Sequence, residues 1–277
     1  MPMELIDSHV HVWDPVSGYP WLTGPLRRRY RLDDLRRCVE PDTSVSLIVV
    51  EAGRGDAAES SDLLALAATD PSIAGVVGTA NLQCHGAGHR LEWLITGPHG
   101  RYLVGLRERL GGRLLANIGG AVAGQLAEHG LALEVNCSPQ QFAQVGRLVE
   151  LLGPDVPVVL DHLAGPPDAP HRIDALERWS GGLMDLAALP SVYVKLSGIL
   201  TQLTGPSSWR SDLVRQAVDI LGPGRTMIGS DWPVCVTGGS WATAIDSVRA
   251  ALTDYAPPDI QRVLAGTARH VFRIADR

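Results

Sequence analysis

The feature that most constrains the fold is a series of eight short apolar runs separated by helical patterns. The runs are rich in Val, Ile and Leu and show little polar alternation, which is typical of parallel strands buried on both faces. They are predicted at residues 5–9, 45–51, 73–79, 103–107, 131–135, 157–162, 192–196 and 226–231.

Helical segments are predicted in the intervals between these runs, and they carry ordinary start and stop signals. Helices are expected over 60–69, stopped by Asp70 and Pro71, and over 118–129, ended by Gly130. Another is expected over 139–152, with Ser138 as its N-cap, and two more over 207–221 and 257–265. This alternation predicts an α/β fold, a single (β/α)8 TIM barrel over 1–277 with slightly elaborated loops at its C-terminal face. An open doubly wound sheet is the second choice, since no Gly-rich phosphate loop follows the first strand.

Composition excludes several functional classes. The chain has 277 residues, 45% hydrophobic and 19% charged, with a net charge of -6, which suits a compact globular domain and disfavours a nucleic-acid-binding surface. The basic run at 27–31 is interpreted as a solvated loop. Cys38, Cys84, Cys137 and Cys235 are widely spaced, so we expect reduced thiols. No signal peptide or membrane span is recognised, and a cytoplasmic location is predicted. The oligomeric state is left open.

Polar side chains concentrate where the predicted strands end. His9 and His11 are two residues apart on the first strand and therefore point the same way. In a barrel, catalytic groups lie at the C-terminal ends of the strands. Each polar residue alone has an ordinary structural explanation, but their common position predicts a functional site. The set comprises His9, His11, Glu51, Asn81, Arg107, Glu134, Asn136, His162, Lys195, Ser197 and Asp231.

Four motifs resemble the amidohydrolase superfamily, and more narrowly its branch of sugar-acid and pyrone-dicarboxylate lactonases. They are DSHVH at 7–11, DHLAGPP at 161–167, VKLSG at 194–198 and GSDWP at 229–233. The resemblance spans nearly the whole chain, and the second and fourth motifs, in that order, are its most specific part.

The resemblance implies roles for individual residues. His9 and His11 match the first-strand pair, His162 matches the later histidine that faces the same centre, and Asp231 matches the proton-handling carboxylate of the last strand. Arg107 lies in a segment similar to the branch's Gly-x-Arg.

The sequence also departs from the branch at three positions. Gly165 replaces a lysine, Glu51 a glutamine and Asn81 an aspartate that many relatives carry. These departures bear on the substrate's polar contacts and leave the reaction class unchanged. No lysine or glutamate bridge for two metals is evident, which fits mononuclear or metal-independent members.

The predicted activity is hydrolysis of a small lactone. Asp231 is the expected general base for water, and His9, His11, His162 and Lys195 are expected to polarise the carbonyl. They act either directly or through one divalent cation. Zn²⁺ is the expected ion, and His9, His11, His162 and Asp231 are its expected ligands. Substrate contacts are expected from Arg107, Glu134, Trp232, Asn81 and Glu51, with Trp13, Tyr19 and Trp21 in a segment that covers the mouth.

Two other functional classes are compatible with the same scaffold. A metal-dependent decarboxylase or an amide hydrolase would use a similar barrel, and the decarboxylase would need a firmly held metal. A non-catalytic binding barrel is disfavoured because the rim carries a complete proton-transfer set. The expected partner is a small-molecule lactone, with neither nucleic acid nor membrane involved.

Overall fold

The protein is described from a computed structural model, for residues 4–40, 43–110, 115–116, 118 and 120–274. Its eight strands are all parallel, and each pairs with the next along the chain, so the predicted (β/α)8 barrel is confirmed. The strands are β1 Leu5–Val10, β2 Val45–Val50, β3 Ile73–Gly78, β4 Leu103–Arg109, β5 Ala132–Asn136, β6 Val158–Leu160, β7 Val192–Leu196 and β8 Thr226–Ile228.

The barrel closes between β1 and the segment that follows β8. The backbone N–H of Asp231 donates to the His9 carbonyl at 2.9 Å, and that of His11 donates to the Trp232 carbonyl at 2.7 Å. Beneath them, the Ser8 hydroxyl donates to the Ile228 carbonyl at 2.6 Å. The two motifs most distant in sequence therefore meet at one seam.

Helices cover the outside of the barrel. They are α1 Leu32–Arg36, α2 Ala57–Ala67, α3 Ala87–Thr96, α4 Ala121–His129, α5 Phe142–Leu152, α6 Ile173–Ala187, α7 Ile199–Gln202, α8 Ser207–Leu221, α9 Trp241–Ala251, α10 Pro257–Gln261 and α11 Thr267–Val271. The helix predicted over 207–221 is confirmed, and both of its ends agree with the prediction. Helix α2 begins earlier than predicted because Asp56 caps it, accepting from Glu59 N–H at 3.0 Å. The segment predicted over 257–265 continues through a π-helical turn, Arg262–Gly266, into α11.

The barrel interior is filled by side chains from seven of the strands. The cluster comprises Ile6, Ile48, Val50, Val77, Ala132, Val159, Tyr193 and Met227, together with Ala265, Ala268, Val271 and Phe272 from the C-terminal helical segment. Side chains alternate along a regular strand, so on β5 and β7 the residues two positions after Ala132 and Tyr193 point inward one layer higher. Glu134 and Lys195 occupy that next layer.

An irregularity in β1 sets the direction of the paired histidines. Ile6 belongs to the interior cluster, and Val10 to the cluster between strands and helices, although the two are an even number of residues apart. The pairing register of β1 with β2 shifts between Asp7 and Val10, which inserts a residue and reverses the alternation. His9 and His11 consequently face into the barrel.

All four cysteines are free, Cys38 and Cys84 exposed and Cys137 and Cys235 buried, as their spacing predicted. Among the helices of the described residues, none has both the length and the apolar character needed to span a membrane.

Candidate active site

Strained backbone marks the C-terminal rim of the barrel. Asn81, His162 and Asp231 have φ of 50°, 51° and 59°, in the left-handed region that non-glycine residues rarely adopt. Such strain persists only where the surroundings impose it, and it gathers at functional positions. Three residues predicted from sequence to belong to the site therefore share an uncommon conformation.

His9, His11 and Asp231 form the centre of the rim. The Nε2 atoms of the two imidazoles lie 3.1 Å apart. Asp231 Oδ1 is 3.6 Å from His11 Nε2 and 3.9 Å from His9 Nε2. All three side chains are almost fully buried, so their mutual interactions are weakly screened by water.

Hydrogen-bond partners assign the protons of the two imidazoles. His11 Nδ1 lies 2.9 Å from the Val50 carbonyl, which only accepts, so this nitrogen carries the proton. His9 Nε2 lies 3.3 Å from Arg107 Nη1, which only donates, so this nitrogen carries a lone pair. In the neutral ring of His11, Nε2 carries a lone pair too. The two lone pairs thus converge where a cation would be stabilised.

His162 completes the group of histidines. Its ring centroid is 4.8 Å from that of His9, and its Nδ1 lies 2.9 Å from Ser197 Oγ. Burial lowers the pKa of His162, and burial together with the Lys195 ammonium lowers the pKa of His9 well below its usual range. Both rings are therefore neutral at neutral pH.

The Asp231 carboxyl is ionised despite its burial. Burial alone would raise its pKa, but His162 and His11 outweigh burial and lower the pKa below the ordinary value. A buried, ionised carboxylate beside the cavity can accept a proton from water.

A second polar group lies below the histidines. Lys195 Nζ is 2.5 Å from Glu134 Oε1 and 3.3 Å from His9 Nδ1, and Asp161 Oδ1 is 3.5 Å from the same nitrogen. Lys195, Glu134 and Asp161 are all fully buried. Burial raises the pKa of Glu134 to about 7 although Lys195 opposes this, whereas His9 and then Lys195 keep the pKa of Asp161 well below its usual range against the effect of burial.

Arg107 links this network to the cavity. Its Nε donates to Glu51 Oε1 at 2.7 Å, and its Nη1 lies 3.8 Å from Asp161 Oδ2. Glu51 in turn accepts from Gly53 N–H at 2.7 Å. The Arg107 side chain is 17% exposed, so part of its guanidinium faces the cavity while the rest is held by carboxylates.

The mouth of the barrel contains two adjoining cavities. One of about 850 Å³ is bordered by Glu51 and Asn81, and one of about 310 Å³ by His11, His162 and Asp231. Both are lined by Trp21, Arg107, Arg109 and Asn136, which shows that they adjoin. Together they have the size of a small-molecule site.

Arg109 was not predicted to contact a ligand, and Trp21 was predicted only to lie in the segment that covers the mouth. Arg109 follows Arg107 by two positions on β4, so alternation places it on the same face and nearer the opening. Within the described part of the chain, no carboxylate forms an ion pair with its guanidinium. Trp21 is held by a 2.7 Å hydrogen bond from its Nε1 to the Ala52 carbonyl. The i+2 spacing was the available signal for Arg109, whereas Trp21 is placed by a loop.

Trp232 has a packing role. Its side chain is 1% exposed, and its ring stands edge-on to Tyr30 with centroids 5.5 Å apart. The aromatic wall of the cavity is supplied by Trp21 instead.

Gly165 stands at the position where relatives in the resembled branch carry a lysine. Its φ is +70°, and a Cβ there would lie 2.9 Å from the Cys137 carbonyl oxygen. This backbone conformation therefore disfavours any residue with a side chain.

The donor set fits one divalent cation. Ligand atoms of His9, His162 and Asp231 lie within 4.8 Å of one another, and the His9–His11 separation of 3.1 Å matches two nitrogens bound to one zinc at about 2.0–2.1 Å. Two side-chain cations face four carboxylates in the buried network, which favours a further positive charge. The cations are Arg107 and Lys195, and the carboxylates are Glu51, Glu134, Asp161 and Asp231.

Comparison with known proteins identifies related chains. The sequence matches the family described as amidohydrolase over residues 6–274. It is similar to L-fucono-1,5-lactonase of Burkholderia multivorans (strain ATCC 17616 / 249), at 33% identity over 261 residues covering 85% of this chain and 84% of the relative. It is also similar to L-fucono-1,5-lactonase of Burkholderia ambifaria (strain ATCC BAA-244 / DSM 16087 / CCUG 44356 / LMG 19182 / AMMD), at 29% identity over 291 residues covering 97% and 95%. A crystal structure of an amidohydrolase from Burkholderia multivorans with bound zinc superposes with a TM-score of 0.86 at 28% identity, covering 98% of this chain and 100% of that one.

Proposed function

Because the chain belongs to the amidohydrolase family, we propose that it is a lactonase that opens the ring of a small sugar-acid or carboxylated lactone. The observation that carries this proposal is the placement of Asp231 beside two converging imidazole nitrogens at the base of an arginine-lined cavity. The similarity to two proteins named L-fucono-1,5-lactonase supports a sugar-acid lactone as the substrate class.

Asp231 acts as the general base in this mechanism. Its carboxylate accepts a proton from the attacking water as the water oxygen bonds to the lactone carbonyl carbon. The Asp231 backbone N–H donates to the His9 carbonyl at 2.9 Å, which fixes the position of this residue at the barrel seam. A lactone is an activated ester, so a carboxylate of modest basicity suffices once water is held next to it.

Positive charge near the carbonyl oxygen supplies the second requirement. Arg107 presents part of its guanidinium to the cavity and is held rigidly by Glu51 at 2.7 Å. Its remaining N–H groups stabilise negative charge on the carbonyl oxygen as the tetrahedral intermediate forms. A zinc ion bound by His9, His11, His162 and Asp231 would supply Lewis-acid polarisation of the same oxygen. Lys195 is fully buried, so we assign it an action through His9 rather than contact with the substrate.

Ring opening requires a proton for the leaving alkoxide. Asp231, protonated after the first step, returns that proton to the ring oxygen as the carbon–oxygen bond breaks. The products are a hydroxy acid and a regenerated Asp231 carboxylate. One carboxylate thus completes both transfers.

Four side chains at the cavity opening suit such a substrate. Arg109 and Asn136 line both cavities and are exposed at the rim, where they can bind hydroxyl or carboxylate oxygens. Trp21 offers an apolar face to a sugar ring. Asn81 lines the larger cavity only and extends the polar surface away from the histidines.

A panel of aldonolactones and carboxylated lactones tests the proposal. Acid release is followed with a pH indicator, and the same substrates are incubated with an Asp231→Asn variant to subtract spontaneous hydrolysis. We expect at least one 1,5- or 1,4-lactone to be opened with a kcat/KM typical of enzymes, about 10⁴ M⁻¹s⁻¹ or higher. Absence of acid release across varied ring size and stereochemistry would contradict the lactonase assignment, and carbon dioxide release from a carboxylated compound would favour the decarboxylase alternative.

A further inference from the structure

We propose that Lys195 is a built-in cation, its ammonium occupying a second cation site made by His9, Glu134 and Asp161 beneath the catalytic cluster. This site would hold a divalent ion if the ammonium were removed. The inference concerns the same rim as the proposed function, but its test does not depend on lactone hydrolysis.

The donor atoms of this lower site are arranged as for a metal ion. One ligand atom each from His9, Glu134 and Asp161 lies within 4.8 Å of the others. With the Nδ1 proton of His9 released to solvent on binding, a modest contraction would bring these atoms to zinc-binding distances of about 2.0–2.2 Å. Lys195 Nζ sits among them, 2.5 Å from Glu134 Oε1 and 3.3 Å from His9 Nδ1. The ammonium therefore lies beside two of the three groups that would bind an ion.

The two carboxylates need positive charge at this position. Lys195 Nζ lies 2.5 Å from Glu134 Oε1, and among the described residues none gives the other three oxygens of Glu134 and Asp161 a well-formed hydrogen bond. Both side chains are fully buried, and a buried carboxylate without compensation costs several kcal/mol. The nearest side-chain cations to these oxygens are the Lys195 ammonium, 2.5 Å from Glu134 Oε1, and the Arg107 guanidinium, 3.8 Å from Asp161 Oδ2, so the ammonium compensates Glu134 directly.

The choice of lysine at this position is informative. Lys195 is the single lysine of the chain, whereas the other basic residues of the 24 are all arginines. An ammonium is a compact point charge, while a guanidinium is a broad planar fork. A space the size of a metal ion admits the first and excludes the second, which explains a lysine here in a chain that otherwise uses arginine.

The two levels of the site share one imidazole. His9 meets Lys195 and Asp161 through Nδ1, and His11 and Asp231 through Nε2. Lys195 is thus a positioning residue, which holds the His9 ring and balances the charge below it. The wild-type protein should accordingly bind no more than one divalent ion at the rim.

Metal stoichiometry tests the inference directly. Lys195→Met replaces the ammonium with an apolar chain of similar length, and Lys195→Met/Glu134→Gln removes a ligand of the lower site as well. Zn²⁺ is titrated into each metal-stripped protein by calorimetry, and bound zinc is counted by elemental analysis after desalting. We expect Lys195→Met to bind one more equivalent of Zn²⁺ than the wild type, and the double variant to lose that equivalent. We also expect Zn²⁺ to raise the Tm of Lys195→Met more than the Tm of the other two proteins. Equal stoichiometry in all three proteins would overturn the proposal.

A second measurement applies even if Lys195→Met does not fold. Wild-type protein that carries a tag without lysine is labelled with ¹⁵N at lysine Nζ. It gives one ammonium resonance in NMR, because Lys195 is the single lysine of the chain. The proposal expects that resonance to be protected from solvent exchange and to remain an ammonium signal after one equivalent of Zn²⁺. Loss of protection, or conversion to a neutral amine when zinc binds, would show that the metal displaces Lys195 and would refute the built-in cation. Neither readout involves a lactone, so failure here is distinguishable from failure of the lactonase proposal.

Discussion

Asp231 is the residue on which the proposed chemistry depends most directly. Asp231→Asn preserves the shape and the left-handed backbone but removes the basic oxygen. We expect kcat for the identified lactone to fall by about 10²–10⁴-fold or more, the usual contribution of a general base, with Tm changed little. The matched control is Asp246→Asn, a 69% exposed aspartate on α9, which should keep wild-type kcat. Turnover of Asp231→Asn above a tenth of wild type would remove Asp231 from the mechanism.

Glu108 gives the protein a pH-dependent stability that is separate from catalysis. Burial raises its pKa from 4.5 to about 7, although Leu82 N–H and Thr79 Oγ1 donate to it. Between these two values the folded state binds a proton that the unfolded state does not, so the free energy of unfolding falls as pH rises through this window.

The corresponding experiment compares Glu108→Gln with the wild type. Glutamine keeps an acceptor for Leu82 and Thr79 but cannot ionise. We expect the variant's stability relative to wild type to increase by about 2–3 kcal/mol between pH 5 and pH 8, from about 1.36 kcal/mol per pKa unit. Urea unfolding at both pH values measures this. A difference between the two proteins that is the same at pH 5 and pH 8 would contradict the raised pKa.

At the scale of elements, the strands and their polar ends were predictable because local pattern determines both. Eight apolar runs predicted eight strands, and the last positions of those runs predicted Arg107, His162 and Asp231 at one rim. The shift of register within β1 was not predictable, because simple alternation from Ile6 would turn His9 outward and only pairing with β2 reveals the inserted residue. Trp21 was predicted in the segment that covers the mouth, but its contact with the cavity was not predictable, because a loop rather than a strand places it there.

The loop after β3 depends on one arginine of α3. Arg90 donates to the carbonyls of Ala80, Asn81, Cys84 and His85, at 2.7, 2.8, 3.2 and 2.8 Å. Arg90→Met leaves these carbonyls without the guanidinium. We expect faster amide hydrogen exchange over 80–85 and a roughly tenfold rise in KM with a smaller change in kcat, because the loop carries Asn81 to the cavity. Arg147→Met on the exposed face of α5 is the control. An unchanged KM together with unchanged exchange would mean that the loop holds its conformation without Arg90.

At the scale of the whole molecule, the seam that closes the barrel also builds the site. Asp7 is fully buried on β1, and its Oδ1 accepts from Ser230 N–H at 2.8 Å while its Oδ2 accepts from Trp241 Nε1 at 2.8 Å. One carboxylate thus ties β1 to the segment carrying Asp231 and to helix α9. Stability and catalysis are consequently coupled at this point.

Trp241→Phe tests that coupling, because it keeps a six-membered aromatic ring in this buried position and removes the indole N–H that donates to Asp7 Oδ2. A buried acceptor left unpaired costs about 1–3 kcal/mol, or more when it is charged. We expect urea unfolding to show a loss in that range, and kcat to fall more than KM changes, since Asp231 is next to the Ser230 amide that Asp7 holds. Trp93→Phe, a 56% exposed tryptophan on α3, should change neither quantity. If Trp241→Phe loses stability but keeps full kcat, the seam supports the barrel without positioning Asp231.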